Sequence, residues 1–499
     1  MSSSPSAPRT HASARTDSAA STASDHLPRT QDISLLGLVA LVISSAIGSG
    51  VFALSTDISA AAAPGPALIA WLLCGVGFMA LASTFGRLSL ERPQLHGLAA
   101  YAREGFGPFV GFVSGWGYWL SIWMGIVAFG VMLATTLGYF FDPFAHGLTV
   151  WSIVVISVLN WFLVLLVNRG VEQASVVNAI VMVCKLVPIF AFIVVMALVC
   201  RPETFTADFW GNLANNLGSS RAEAPGTVPE QIVNCLMVMM WVFVGMEGAT
   251  VLGHRARRKE DVSRATVLGS IALVVIYVAA SILPYGYLPR EELMQVGTPS
   301  MPYLFARVVG PWGGAFISIG LIVSIFGASL SYTMLSSETM NEMAQMKLLP
   351  SVFARMNTYG APTACLFTTG AMVQALAIVM LFSQAAYQFA YSLCTASIVI
   401  SWSLAAAYHV KAAWGRQRAG VLPALFACVF LVAAVLIAGA QLLMLCCIAY
   451  VPGIAFFVIA RREHEAEDIL TPREKVIALI ISLTAVAAII GLAAHLIVI

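Results

Sequence analysis

The chain has 499 residues, 59% of them hydrophobic and only 10% charged, and its mean hydropathy is +0.87. That composition excludes a soluble globular protein, and the formal net charge of +2 carries little weight because charge in a membrane protein acts by location. Apolar runs of about 20 residues recur, each long enough to cross a hydrocarbon core about 30 Å thick, so the expected fold class is all-α, a polytopic membrane protein of about 12–13 transmembrane helices.

Residues 1–32 are rich in Ser, Ala, Thr and Pro and bury too little apolar surface to fold, which predicts a disordered cytoplasmic tail. Arg and Ser there suit a targeting peptide, but Asp17 and Asp25 argue against one, and no signal-peptide core precedes Ile33. Thirteen spans follow, over 33–54, 66–86, 109–140, 149–168, 175–200, 231–253, 265–286, 311–338, 362–382, 386–410, 421–439, 441–460 and 475–499. The break near Gly439-Ala440-Gln441 is the weakest of the boundaries. With the N-terminus inside, inward segments hold 21 of the 26 Lys and Arg residues and outward segments hold four, leaving Lys185 within a span. This asymmetry places the N-terminus in the cytoplasm and the 201–230 loop outside.

The first span contains "AIGSGVF" and the sixth "WVFVGMEGATVLG". Glycine disfavours helix, so both stretches invite the backbone to unwind at membrane depth, where unwound chain is tolerated only if it lines a cavity or is buried in protein. Matching interruptions five spans apart point to an inverted-repeat transporter, with 33–200 and 231–410 as the two five-helix halves and 411–499 as peripheral helices. Free N–H groups and the positive end of a half-helix could then hold a carboxylate. The plainer alternative is a close helix crossing built on small residues.

Lys185 and Glu247 are read as the only strongly charged side chains deep in the spans, and such residues are functional candidates by default. A snorkelling lysine is the alternative at 185. Asn160, Asn178 and Gln374 read as packing or helix-bonding residues. The loop "HRARRKEDVSRA" reads mainly as the positive-inside signal. The nine cysteines show no CxxC spacing and no accompanying His cluster, so neither a metal site nor a disulfide framework is indicated.

As an ensemble, "IGSGVF" (47–52), "YAREGFGPFVGF" (101–112), "WGYWLSIWMG" (116–125), "KLVPIF" (185–190), "TADFWG" (206–211), "WVFVGMEGA" (241–249), "RATVLG" (264–269) and "VGPWG" (309–313) resemble the amino acid–polyamine–organocation superfamily. Within it the chain is most similar to the basic amino acid/polyamine antiporters, especially the arginine/ornithine exchangers, over about residues 33–410. The resemblance implies carboxylate and amine contacts at Ser45, Ala46, Gly48, Ser49 and Gly50, backbone contacts near Trp241 and Val244, and further substrate contacts at Ser121, Phe129 and Tyr332. It implies that Trp241 lids the substrate, which suits cation–π contact with an amine or guanidinium. It implies that Lys185 ties span 5 to the unwound first span, where sodium-dependent relatives bind Na⁺, and that Glu247 links gating to protonation.

The chain departs from the exchangers at Ile126, where they carry an asparagine, and at Tyr332, where they usually carry Trp; both changes reshape contacts to the distal end of the substrate. The resemblance implies a cofactor-free secondary transporter in the plasma membrane, a bacterial inner membrane, exchanging a cationic amino acid for ornithine or a related amine. A proton-coupled amino acid symporter is the rival within the class. An integral membrane enzyme lacks support, since no HExxH, GxSxG or P-loop is present. A transporter-like nutrient sensor would need a sizeable soluble part, for which the tail is poor material. The partners implied are small amino acid and amine substrates and the lipid bilayer, with no nucleic acid; a homodimer stays open.

Overall fold

The computed structural model describes residues 34–494 except 96, 146, 171–174, 212–225, 249–255, 383–385, 415–417, 438–439 and 467. The tail and part of the loop after the sixth span therefore lie outside the described residues, as does the Asn178 side chain. Among the described residues ten helices are long and apolar enough to cross a membrane. Three shorter apolar helices, Leu35–Ala46, Val228–Val242 and Gly420–Ala434, fall in the first, sixth and eleventh expected spans. Two of these three carry the glycine breaks, so continuity is lost where the sequence invites it.

The first span is two half-helices. α1 (Leu35–Ala46) begins at Ser34, whose hydroxyl accepts the Gly37 N–H, and stops at Ala46. After Ile47 a 3₁₀ turn over Gly50–Phe52 leads into α2 (Leu54–Ala61). Helix resumes beyond the break and runs seven residues past Leu54, the expected end of the span. This brings Asp57 into the membrane domain, 8% exposed. Lys185 and Glu247 are therefore not the only buried charges in the spans; a boundary drawn for one continuous helix stops short of the second half.

α3 (Pro64–Glu91) follows, then α4 (Gly97–Phe106) and α5 (Pro108–Leu137). α6 (Val150–Asn168) opens on a Thr149 capping box, α7 is Ser175–Val199, and α8 (Pro202–Ala207) lies in the expected outer loop. α9 (Val228–Val242) runs into turns over 243–247, and α10 is Lys259–Ile282. Two short helices, α11 (Arg290–Met294) and α12 (Ser300–Val309), precede α13 (Pro311–Gln345). α14 (Thr363–Val379), α15 (Ala386–Ala413), α16 (Arg418–Ile437), α17 (Ala440–Glu463) and α18 (Pro472–Ala493) complete the chain.

α5 is the centre of the molecule, with 83% of its most apolar stretch buried; α17 and α18, at 22% each, are peripheral. Packing is reciprocal between the halves. α1 lies on α10 as α9 lies on α3; α5 meets α15 as α13 meets α7; α5 meets α14 as α13 meets α6; α3 with α10, α5 with α13 and α6 with α14 pair across the centre. The lead-in to α5 also matches the lead-in to α13. In each, a ten-residue helix ends at a glycine, Gly107 (φ 97°, ψ 175°) or Gly310 (φ 95°, ψ 173°), and a proline then starts the long helix.

Candidate substrate site between the two helix breaks

The breaks of spans 1 and 6 lie against each other. Gly245 has φ 105°, in the left-handed region that glycine adopts freely. A Cβ at Gly245 would sit 2.5 Å from the Ser45 carbonyl oxygen, so the contact has no room for a side chain.

The backbone accounting explains how the breaks persist without water. The carbonyls released at the end of span 6 each accept a side chain from another helix: Val242 from the Tyr277 hydroxyl (2.7 Å), Val244 from the Tyr332 hydroxyl (3.2 Å) and Gly245 from the Ser45 hydroxyl (2.7 Å). At the first break, Lys185 Nζ donates to the Ser44 carbonyl at 2.6 Å and the Ile47 carbonyl at 3.0 Å, and Ser324 Oγ donates to the Gly48 carbonyl at 3.1 Å. Buried backbone groups need such partners. The donors are treated differently. Among the described residues no carbonyl accepts the N–H of Ser49 or Gly50, which open the 3₁₀ turn ahead of α2.

A small cavity of about 10 Å³, room for one water at most, lies at these amides, lined by Ala46, Gly48, Ser49, Gly50, Phe129, Trp241, Val242, Val244 and Tyr332. Ligand pockets usually span about 300–1,000 Å³, so the site is closed to a ligand here. Its walls carry no charged side chain. The positive end of α2 and the carbonyl end of α9 both point toward it, a polarity that suits a carboxylate at the first and an ammonium at the second.

Most of the residues implied by the resemblance come together here. Ser45 and Ser121 do not line the cavity. Ser45 spends its hydroxyl on Leu41, Val42 and Gly245 carbonyls, and Ser121 lies 3.2 Å from Cys394 Sγ. In an apolar medium a helical hydroxyl turns back to nearby carbonyls or a packed neighbour. Ile126 is buried on α5 but is absent from the lining.

The aromatic wall is larger than expected. Phe129 lies 5.0 Å from Tyr332 and 5.8 Å from Trp241, ring centre to ring centre, and Trp241 stacks on Tyr391 at 5.9 Å with 18° between planes. Trp241 Nε1 donates to the Tyr387 hydroxyl at 3.2 Å. Sequence reasoning missed Tyr387 and Tyr391, although "AYQFAY" spaces them by four and so puts them on one helix face. Glu247, 1% exposed, accepts the Gly245 N–H at 3.2 Å, with the Tyr118 hydroxyl and the Trp402 indole beside its carboxylate. Asn160 Nδ2 donates to the Gly370 carbonyl and Gln374 accepts the Trp161 indole, both joining α6 to α14 away from the cavity.

Residues 33–486 match the amino acid permease family. The chain belongs to that family. An arginine/ornithine antiporter of Latilactobacillus sakei is 47% identical to it over 92% of this chain and 96% of that protein. An arginine/ornithine antiporter of Lactococcus lactis is 41% identical over 87% and 90%, and one of Pseudomonas aeruginosa 36% over 93% and 97%. This amino acid permease is therefore a multi-pass membrane transporter and not an enzyme.

Proposed function

We propose that this permease exchanges a cationic amino acid of the arginine type for ornithine or a related basic amino acid or amine, by alternating access. One observation carries the reading. Two unwound helix breaks meet at a cavity where the Ser49 and Gly50 amides are free for a carboxylate and an aromatic wall of Phe129, Trp241 and Tyr332 is free for a cation. The names of the relatives, arginine/ornithine antiporters, support the same substrate class.

In this reading Ala46, Gly48, Ser49, Gly50, Trp241 and Val244 hold the α-amino and α-carboxyl groups, while Phe129, Tyr332 and Trp241 face the side chain. Ser45 positions the two breaks against each other. Ile126 leaves the distal cation without an amide partner, so recognition rests on aromatic faces, worth about 0.5–2 kcal/mol each. Lys185 couples span 5 to span 1, and Glu247 with Tyr118 and Trp402 closes one side. The halves 33–200 and 231–410 act as inverted repeats, which the reciprocal packing and the matched Gly107 and Gly310 turns support. The count of basic residues supports a cytoplasmic N-terminus, in the plasma membrane of a bacterial cell. The partners are the small substrates and the bilayer, with no nucleic acid, and a second copy of the chain as a homodimer.

Exchange of arginine for ornithine moves one net positive charge each way, so it is electroneutral and needs only the two substrate gradients. The test is efflux of labelled arginine from proteoliposomes challenged outside with arginine, ornithine, lysine, histidine or their decarboxylated amines, without a proton gradient. Efflux triggered by ornithine or a related cation supports the exchange. Efflux that ignores external cations and follows only an imposed proton gradient overturns it in favour of symport.

A further inference from the structure

Asp57 takes no part in the arrangement above. It lies on α2, seven residues beyond Gly50, or about 10 Å along the helix from the cavity. One face of α2 is laced to the end of α10 and to the chain between α10 and α13. Ser55 Oγ donates to the Ala280 carbonyl (3.2 Å), and Thr56 Oγ1 to those of Leu293 and Val296 (3.3 Å each). Ser300 Oγ reaches the Phe52 carbonyl (3.3 Å), Arg290 Nη2 the Ala60 carbonyl (3.3 Å) and the Tyr285 hydroxyl the Ala62 carbonyl (2.6 Å). Helix α2 and this loop are therefore one body.

The contact with α15 is much thinner. The Ser49 hydroxyl lies 3.5 Å from that of Tyr387, at the outer limit of a hydrogen bond. The amide of Gln388 faces the Asp57 carboxylate, which is close enough for its charge to act on Tyr387 and Tyr391. Those two tyrosines are the ones that hold Trp241 over the cavity, through the Tyr387 hydrogen bond and the Tyr391 stack. Asp57 thus sits beyond the aromatic wall, on the thin seam between α15 and the body that α2 forms with its loop.

A carboxylate buried against a neutral amide and two phenols is under-compensated, and a cation is the group that completes it. Among the described residues no basic side chain is set against Asp57. Lys185 is engaged by the carbonyls of the first break, and Glu247 lies at the other break. We propose that Asp57 is a recognition site for the cationic group of the incoming substrate, an alkylammonium or guanidinium of a free basic amino acid or amine, on the side of the membrane opposite the N-terminus. The cation pairs with Asp57 when α2 and its loop stand away from α15. As they close, Gln388 takes the place of the cation, which passes to the face of Trp241.

The inference rests on the reading of the protein as an exchanger of cationic amino acids. Its test measures half-saturation for arginine separately at the two faces, using right-side-out and inside-out membrane vesicles preloaded with arginine. Asp57→Asn is expected to raise the outer half-saturation about tenfold or more, the loss of one buried charge partner, and to leave the inner value within about twofold. Asp57→Glu is expected to recover most of the outer affinity. Gln388→Lys keeps Asp57 but gives it a resident cation, so it too is expected to weaken arginine at the outer face, which keeps the test open should the Asn variant fold poorly. An unchanged outer half-saturation in Asp57→Asn or Gln388→Lys overturns the proposal, as does an equal loss at both faces or a loss of maximal rate alone. A wild-type protein that exchanges no cationic amino acid removes the functional reading and this inference together. Normal wild-type exchange with an unaffected Asp57→Asn removes the Asp57 role alone.

Discussion

Replacing Lys185 by alanine separates coupling from binding. Nζ makes two charge-assisted hydrogen bonds, to the carbonyls of Ser44 and Ile47, at 2.6 and 3.0 Å. Bonds to a charged group are worth about 1.5–3 kcal/mol each; taking the lower value for both gives about 3 kcal/mol, or about a hundredfold in the balance between linked and unlinked states. Lys185 is 1% exposed, so water does not take its place readily. Neither Ser44 nor Ile47 lines the cavity. Lys185→Ala should therefore slow arginine exchange about ten- to a hundredfold and leave equilibrium binding within about threefold. Exchange rate in proteoliposomes and arginine binding to the purified variant, measured in the same lipid, make the comparison. Exchange at the wild-type rate refutes the coupling role. A collapse of binding in step with the rate shows that the lysine shapes the site itself.

Gly48→Leu should abolish arginine binding with the protein still purified intact, because even a Cβ at Gly48 would lie 2.6 Å from Phe129 Cε1 at the cavity wall; isothermal calorimetry that finds near-normal binding contradicts the placement of the site. Trp241→Leu should weaken arginine and lysine about tenfold and a neutral analogue such as norleucine much less, since leucine keeps bulk but loses the face stacked on Tyr391; equal losses in competition assays would make Trp241 a packing residue. Glu247→Gln mimics the protonated acid and keeps an acceptor for the Gly245 N–H, so turnover should persist with a flattened dependence on pH; a profile that matches wild type takes the acid out of the mechanism.

What could be read from the sequence divides by how local its cause is. An apolar run of 20 residues and a glycine cluster are local causes, and the spans and both breaks followed from them. Asp57 was hidden by the assumption of one continuous first helix, because the break restarts helix and extends the span to Ala61. Tyr387 and Tyr391 looked like core aromatics; only packing of α15 against α9 shows that they support Trp241. Ser45 and Ser121 depend on packing in the same way, since in this structure their hydroxyls face backbone carbonyls and a cysteine. The two readings of "GSG" also prove to be one. Gly48 and Gly50 allow close approach, to Phe129 and to Val242 with Trp241, as the packing alternative requires. The same contacts leave the Ser49 and Gly50 amides at the cavity. The close crossing at Gly48, Gly50 and Gly245 thus holds the break against its neighbours while those two donors stay without a carbonyl partner among the described residues, so any substitution that loosens the crossing should cost binding as well as packing.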